Sequence, residues 1–237
     1  PRGQFMLIAL PNPDGDFTLT LFMPSKGNIS FDMLRNNIEV EDFFETFFPD
    51  TLDLIPNISE QFFRNPTGIL GTVRCDHWHH DDRFILMGDA AHAMVPFHAQ
   101  GMNSAFDDCI VFDSIISEDF ADWNKVFQKF EKKQKKNADA IQAMALDNYI
   151  EMRDGVLDPK FSLKKELSFE LERRIPGYFI PRYSMVMFHE DIPYSVSHKR
   201  GEIQKEILNE LTEKANKISE IDLDCAENIV RKRLDPL

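Results

Sequence analysis

Residues 83–109 read RFILMGDAAHAMVPFHAQGMNSAFDDC, and this stretch decides the fold. Phe84-Ile85-Leu86-Met87 is a short apolar run closed by Gly88, the pattern of a buried strand. After Gly101, the residues Met102, Ala105, Phe106, Cys109 and Ile110 recur at helical spacing, which predicts a helix starting there. Between strand and helix lies a loop of small residues in which Asp89 is the single acid. Strand, tight loop and helix N-terminus in series suit an anionic or electron-rich ligand, because the amides of the first helical turn point at it.

Asp89 is the first candidate residue. A carboxylate at the end of a buried strand is costly unless something donates to it. The sugar hydroxyls of a nucleotide-like cofactor would do so, and so would the amides of a turn that Asp89 merely caps. Gly101 is the second candidate, for close backbone approach to a ligand or for positive φ. Asn103 can cap or contact the same ligand, and the helix dipole places partial positive charge on it.

Composition narrows the field. The net charge of −13 argues against nucleic acid and against an anionic membrane surface as partners. No run of 18 apolar residues occurs, so no membrane span is expected. The three cysteines, Cys75, Cys109 and Cys225, are far apart and form no C-x-x-C, which fits a reducing cytoplasm better than a disulfide framework. The 21 Phe are unusually many, and most are expected in a core. The chain opens "PRGQFMLIALPNPDG", with no initiator Met and no signal peptide, as a segment of a longer polypeptide would.

Outside the decisive stretch, QFMLIAL and DFTLTLFMP flank Pro11-Asn12-Pro13-Asp14-Gly15 and predict a β-hairpin. Residues 39–48 predict an amphipathic helix ended by Pro49, and residues 67–80, TGILGTVRCDHWHH, a further strand. From about residue 122 the periodicity is helical almost to the end, including residues 202–219. The basic run KFEKKQKKN reads as a solvated helix face.

Metal and hydrolytic chemistry find little support. His77, His79 and His80, with His92 and His98 downstream, lack an acid or Cys at a familiar ligand spacing, so no metal site is expected. No P-loop, nucleophile elbow or H-E-x-x-H is present. Asp107-Asp108 lie inside the predicted helix and are expected to face solvent or a loop. No catalytic acid–base pair is expected.

GDAAHAMVPFHAQGMN (88–103) resembles the second flavin-binding motif of the FAD-dependent aromatic hydroxylases related to 4-hydroxybenzoate hydroxylase. With ALPNPDGDFTLTLFMP, VPFHAQGMN, DNYIEMR (147–153) and FIPRYSMVMFH (179–189), the chain is similar to the kynurenine-hydroxylating members of that family up to about residue 200. The family's amino-terminal G-x-G-x-x-G strand–turn–helix is not in these 237 residues, so independent FAD binding and turnover are not expected of them.

The resemblance implies an α+β fold. It consists of the end of an antiparallel substrate-domain sheet (1–72), the second FAD-binding strand–loop–helix (73–121) and a helical carboxy-terminal region (122–237). It implies FAD as cofactor, NADPH as co-substrate, O2, and L-kynurenine as substrate within tryptophan catabolism. Carried over by position, Asp89 holds the ribityl or pyrophosphate part of FAD, and Pro96 sits at the flavin's reactive edge. Gly101, Met102 and Asn103 lie near its N1–C2 carbonyl. Phe97 and His98 would meet the substrate ring, and Asn148 and Tyr183 the amino-acid end. Read without the family, Asn148 satisfies a backbone carbonyl and Tyr183 joins a core equally well. Ala105 departs from the Gly often found in G-M-N-x-G-F, a small change. A hydroxylase of another aromatic acid and a non-catalytic flavin- or metal-binding module remain the rival readings. A homodimer is compatible with all of them. The charged residues 201–233 carry no apolar anchor, so a soluble cytoplasmic enzyme is expected.

Overall fold

The computed structural model describes residues 1–118 and 122–237, which form two compact units. The first comprises Pro1–Ile69 with Ile150–Leu157, and the second Leu70–Tyr149 with Asp158–Leu237. The fold is α+β, mostly helical with two small antiparallel sheets among the described residues. The boundary expected after residue 121 falls on residues outside those described.

In the first unit, strands β1 (Met6–Pro11) and β2 (Phe17–Phe22) form the expected hairpin, pairing from Met6 with Phe22 to Pro11 with Phe17. Helix α1 (Asn37–Phe47) is capped by Asn36, whose side chain accepts from the Glu39 N–H at 3.1 Å. Glu39 returns a bond to the Arg35 N–H at 2.7 Å, a near capping box. Helix α1 stops before Pro49, as read from the sequence. It and helix α2 (Ile58–Arg64) bury Phe43, Phe44 and Ile58 around Phe5, whose ring meets those of Phe43, Phe47 and Phe48 at 5.0–6.0 Å. Each such ring contributes about 1.5–3 kcal/mol by leaving water.

The second unit begins with a correction. Residues 67–80 make no strand beyond β3 (His79–His80), which pairs with β4 (Phe84–Ile85). The Val73 N–H donates to the Ala93 carbonyl, and the Val73 carbonyl accepts from Gln142, so loop and helix groups satisfy the backbone that a neighbouring strand would. The apolar run 84–87 is likewise short of the buried strand expected: Phe84 is 54% exposed and the ladder ends at Ile85. The small-residue loop contains a one-turn helix, α3 (Asp89–His92).

Helices α4 (Gly101–Glu118) and α5 (Trp123–Arg153) pack around Trp78, Val111, Ile115, Phe127 and Phe130. The buried side of α4 lies opposite the apolar residues whose spacing marked the helix in the sequence. Ser104, Asp108, Val111 and Ile115 face inward, while Met102, Phe106 and Ile110 are 61–68% exposed. Within KFEKKQKKN, Phe130 and Gln134 are buried and Glu131 is half-buried, so the basic run is solvated on one side only.

Helices α6 (Phe161–Arg174), α8 (Tyr194–Thr212) and α9 (Leu223–Arg233) pack around Leu167, Leu171, Ile175, Phe179, Ile207 and Val230, while α7 (Arg182–Phe188) buries Val186 with Ile141 and Met144 of α5 and Met185 with Ile180 and Ile192. Helix α8 ends at Thr212 rather than continuing to residue 219. Cys75, Cys109 and Cys225 are free thiols. Among the described residues, no helix is long and apolar enough to cross a membrane.

Candidate functional site

The site is built outward from Gly88. Its backbone (φ 57°, ψ −142°) lies in a region that essentially only glycine occupies, which turns the chain from β4 into α3. Asp108, buried on α4, holds that turn: its Oδ2 accepts the Gly88 N–H at 2.8 Å and bonds His92 Nε2 at 2.7 Å. Gln134 of α5 donates to Asp108 Oδ1 at 3.2 Å and to Asp107 at 2.7 Å. Of the two surroundings expected for Asp107 and Asp108, solvent or a loop, Asp108 meets the loop and not solvent: it is 1% exposed against the Gly88 turn. The sequence carried a usable sign, since 104, 108, 111 and 115 share one helix face. The polar residues on that face disguised it.

With the turn held from behind, Asp89 opens α3 with an exposed side chain. Its charge therefore meets no burial cost from the chain itself, contrary to the premise that a buried strand end would make it costly. Gly101 is half-buried, and its φ is not positive. A Cβ built there would meet nothing nearer than Met94 Cγ at 3.8 Å, so the chain's own packing does not demand glycine. The residue that does require left-handed freedom is Gly88.

The loop from Met94 to Gln100 carries the aromatic part of the site. Pro96 is exposed and opens a single 3₁₀ turn, Pro96–His98. Phe97 stacks on Tyr149 of α5 with centroids 4.5 Å apart, and Asn148 Nδ2 donates to the Phe97 carbonyl. His98 is 3% exposed and stacks on Tyr183 of α7 at 5.5 Å and 24°. Tyr183 is half exposed. Gln100 closes the loop: its Oε1 accepts from Tyr194 Oη at 2.8 Å and from Asn103 Nδ2 at 3.0 Å. Neither Gln100 nor Tyr149 stood out from the sequence.

Electrostatics single out His98. Burial, reinforced by the Arg182 guanidinium and opposed by Asp147, lowers its pKa to about 4. The ring is neutral at physiological pH, and its buried Nδ1 has no hydrogen-bond partner. Arg182 Nη1 lies 3.1 Å from Asp147 Oδ2 and 3.6 Å from Glu202 Oε1.

Of the predicted residues, the structure brings Phe97 and Asn148 together and, separately, His98 and Tyr183. Met102 and Asn103 are exposed at the start of α4, with Asp89 on the neighbouring turn, where the Gly88 position abuts Ala105 Cβ. Three of the histidines that the sequence grouped divide between two carboxylates. His79 Nδ1 bonds Glu131 at 2.6 Å, His77 lies 4.0 Å from the same carboxylate, and His92 is held by Asp108. Burial pushes the Glu131 carboxyl up, but the Trp78 N–H and His79 outweigh it and hold it below its ordinary value. Asp147, His198 and Glu202 do converge, with ligand atoms within 4.8 Å of one another.

A family model described as an FAD binding domain matches residues 62–123. The chain is 48% identical over its full length to kynurenine 3-monooxygenase of Xanthomonas oryzae pv. oryzae (strain PXO99A), covering 52% of that protein. It is 46% identical to the kynurenine 3-monooxygenase of Stenotrophomonas maltophilia (strain K279a), covering 52% of it, and 44% identical to that of Myxococcus xanthus (strain DK1622), covering 50%. The chain thus spans about half the length of the curated relatives it matches. From end to end, its sequence is similar to the carboxy-terminal half of those kynurenine 3-monooxygenases, and residues 62–123 match the FAD binding domain model.

Proposed function

We propose that this chain forms the carboxy-terminal part of an FAD-dependent monooxygenase that converts L-kynurenine to 3-hydroxykynurenine with NADPH and O2. The observation that carries the reading is His98: a buried, neutral imidazole with an unpartnered Nδ1, beside half-exposed Tyr183 and close in sequence to the α4 N-terminus.

The residues present fit the cofactor. Exposed Asp89 offers a carboxylate to the ribityl hydroxyls, since a carboxylate would repel a pyrophosphate. The first-turn amides of α4, at Gly101, Met102 and Asn103, have no acceptor within the helix and favour negative charge on a ring placed there. The open space at Gly101 accommodates backbone contact with a flat ligand. FAD, when bound, supplies hydride acceptance from NADPH and oxygen activation for transfer to an aromatic ring.

The chain's own residues position and enclose. Phe97 presents an apolar surface to the substrate ring, with Pro96 at the flavin's reactive edge, and Asn148 fixes Phe97 through its carbonyl. Neutral His98 offers a hydrogen bond without bringing charge to the ring. Tyr183 presents its hydroxyl, and Asn148 its side-chain amide, to the amino-acid end of the substrate. Excluding water is the protein's main chemical contribution.

The test uses the intact reading frame that contains this segment. Its purified product should show flavin absorption bands, and L-kynurenine should stimulate its NADPH oxidation and yield 3-hydroxykynurenine. Flavin bands with a response only to another aromatic acid would discard the substrate. A protein without flavin would discard the reading altogether.

A further inference from the structure

Gly201 sits buried within the 19-residue helix α8, where glycine costs about 1 kcal/mol against alanine and so calls for a packing reason. The reason is Arg182. A Cβ at Gly201 would lie 2.4 Å from Arg182 Cδ and 2.8 Å from its Cγ, so the arginine stem runs directly across the bare backbone. Thus bedded, the guanidinium reaches Asp147 of α5 at 3.1 Å and Glu202 of α8 at 3.6 Å, and only 17% of the Arg182 side chain is exposed. Its two carboxylate partners, Asp147 and Glu202, also lie with His198 in a cluster whose ligand atoms are within 4.8 Å of one another.

The pairing has a consequence in sequence. Arg182 immediately precedes Tyr183, and Asp147 immediately precedes Asn148. One ion pair therefore ties together the two helix positions that carry the residues assigned to the substrate. We propose that Arg182, bedded on Gly201 and paired with Asp147 and Glu202, is a positioning residue that fixes the spacing of Tyr183 and Asn148 and thereby sets affinity for the substrate's amino-acid end. The link to affinity rests on the function proposed above; the clamp itself does not.

The experiment therefore reads both in the intact flavoprotein. NMR titration of His98 without substrate reports the clamp, because Arg182 and Asp147 act on that ring with opposite sign. Arg182→Met should raise the His98 pKa, Asp147→Asn should lower it further, and Arg182→Lys should stay near the parent. Gly201→Ala should act like Arg182→Met. A role in folding alone would move every variant toward the ordinary value of 6.5, and that result, or no shift at all, overturns the clamp. In the same proteins, Arg182→Met should raise the Kd for L-kynurenine about ten-fold while flavin reduction at saturating substrate is maintained, as expected for misplaced binding groups. An unchanged Kd in a protein that does bind kynurenine overturns the positioning role. A parent protein that ignores kynurenine overturns the substrate reading instead, and opposite His98 shifts would still uphold the clamp.

Discussion

The buried carboxylate of Asp108 accepts the amide N–H of Gly88 at 2.8 Å, joining the second turn of α4 to the residue that aims Asp89 outward. The same oxygen bonds His92, so one buried side chain satisfies two groups. Asp108→Ala would leave both unpaired, and about 2–4 kcal/mol of stability should be lost. Urea unfolding of the chain measures this, and a change under 1 kcal/mol would show that the turn holds without Asp108.

Gly88 and Gly101 should respond oppositely to alanine. Gly88→Ala forces a side chain into a glycine-only conformation, with an expected cost of about 1–3 kcal/mol. Because Ala105 Cβ is only at the edge of contact at 3.4 Å, adding Ala105→Gly should not restore stability. Gly101→Ala meets no obstruction in the chain and should fold normally, yet it should weaken FAD binding in the intact protein. Thermal unfolding and flavin retention, measured side by side, separate the two effects.

His98 should give the fold a specific pH dependence. Its folded pKa of about 4 lies below the unfolded 6.5, so between these values the unfolded chain binds the extra proton. Stability is unaffected by this group above pH 6.5 and falls as the pH drops from 6.5 toward 4, by up to about 3 kcal/mol. Comparing urea midpoints of the parent and His98→Asn across this range isolates the contribution. Parallel curves would contradict it.

The outward stripe of α4 should tolerate polar substitution within this chain. Phe106 is 61% exposed, so Phe106→Ser should change stability by less than about 0.5 kcal/mol. A loss of several kcal/mol in chemical denaturation would mean that the stripe is core after all.

Tyr183→Phe in the intact enzyme should weaken L-kynurenine binding about ten-fold, the effect of losing one hydrogen bond to a charged group. Flavin reduction at saturating substrate should change far less. Stopped-flow reduction over a range of kynurenine concentrations distinguishes the two.

By itself the sequence determined the local elements and the chemistry on offer. Local rules placed the hairpin around Pro11–Gly15, the helix ending before Pro49, the start of α4 at Gly101 and the helical carboxy-terminal region, because turn residues, caps and 3.6-residue periodicity act over a few residues. A motif was enough to draw attention to Asp89, Pro96 and Tyr183. Tertiary structure alone decided which face each element buries. The apolar stripe of α4 looks like a core face, yet Asp108 takes the inside because Gly88, His92 and Gln134 bring donors to it. Likewise the strand read at residues 67–80 exists only as β3, because a strand requires a partner supplied from elsewhere in the chain. The Arg182–Asp147 clamp spans 35 residues and depends on a missing Cβ at Gly201, a steric fact that no local pattern encodes.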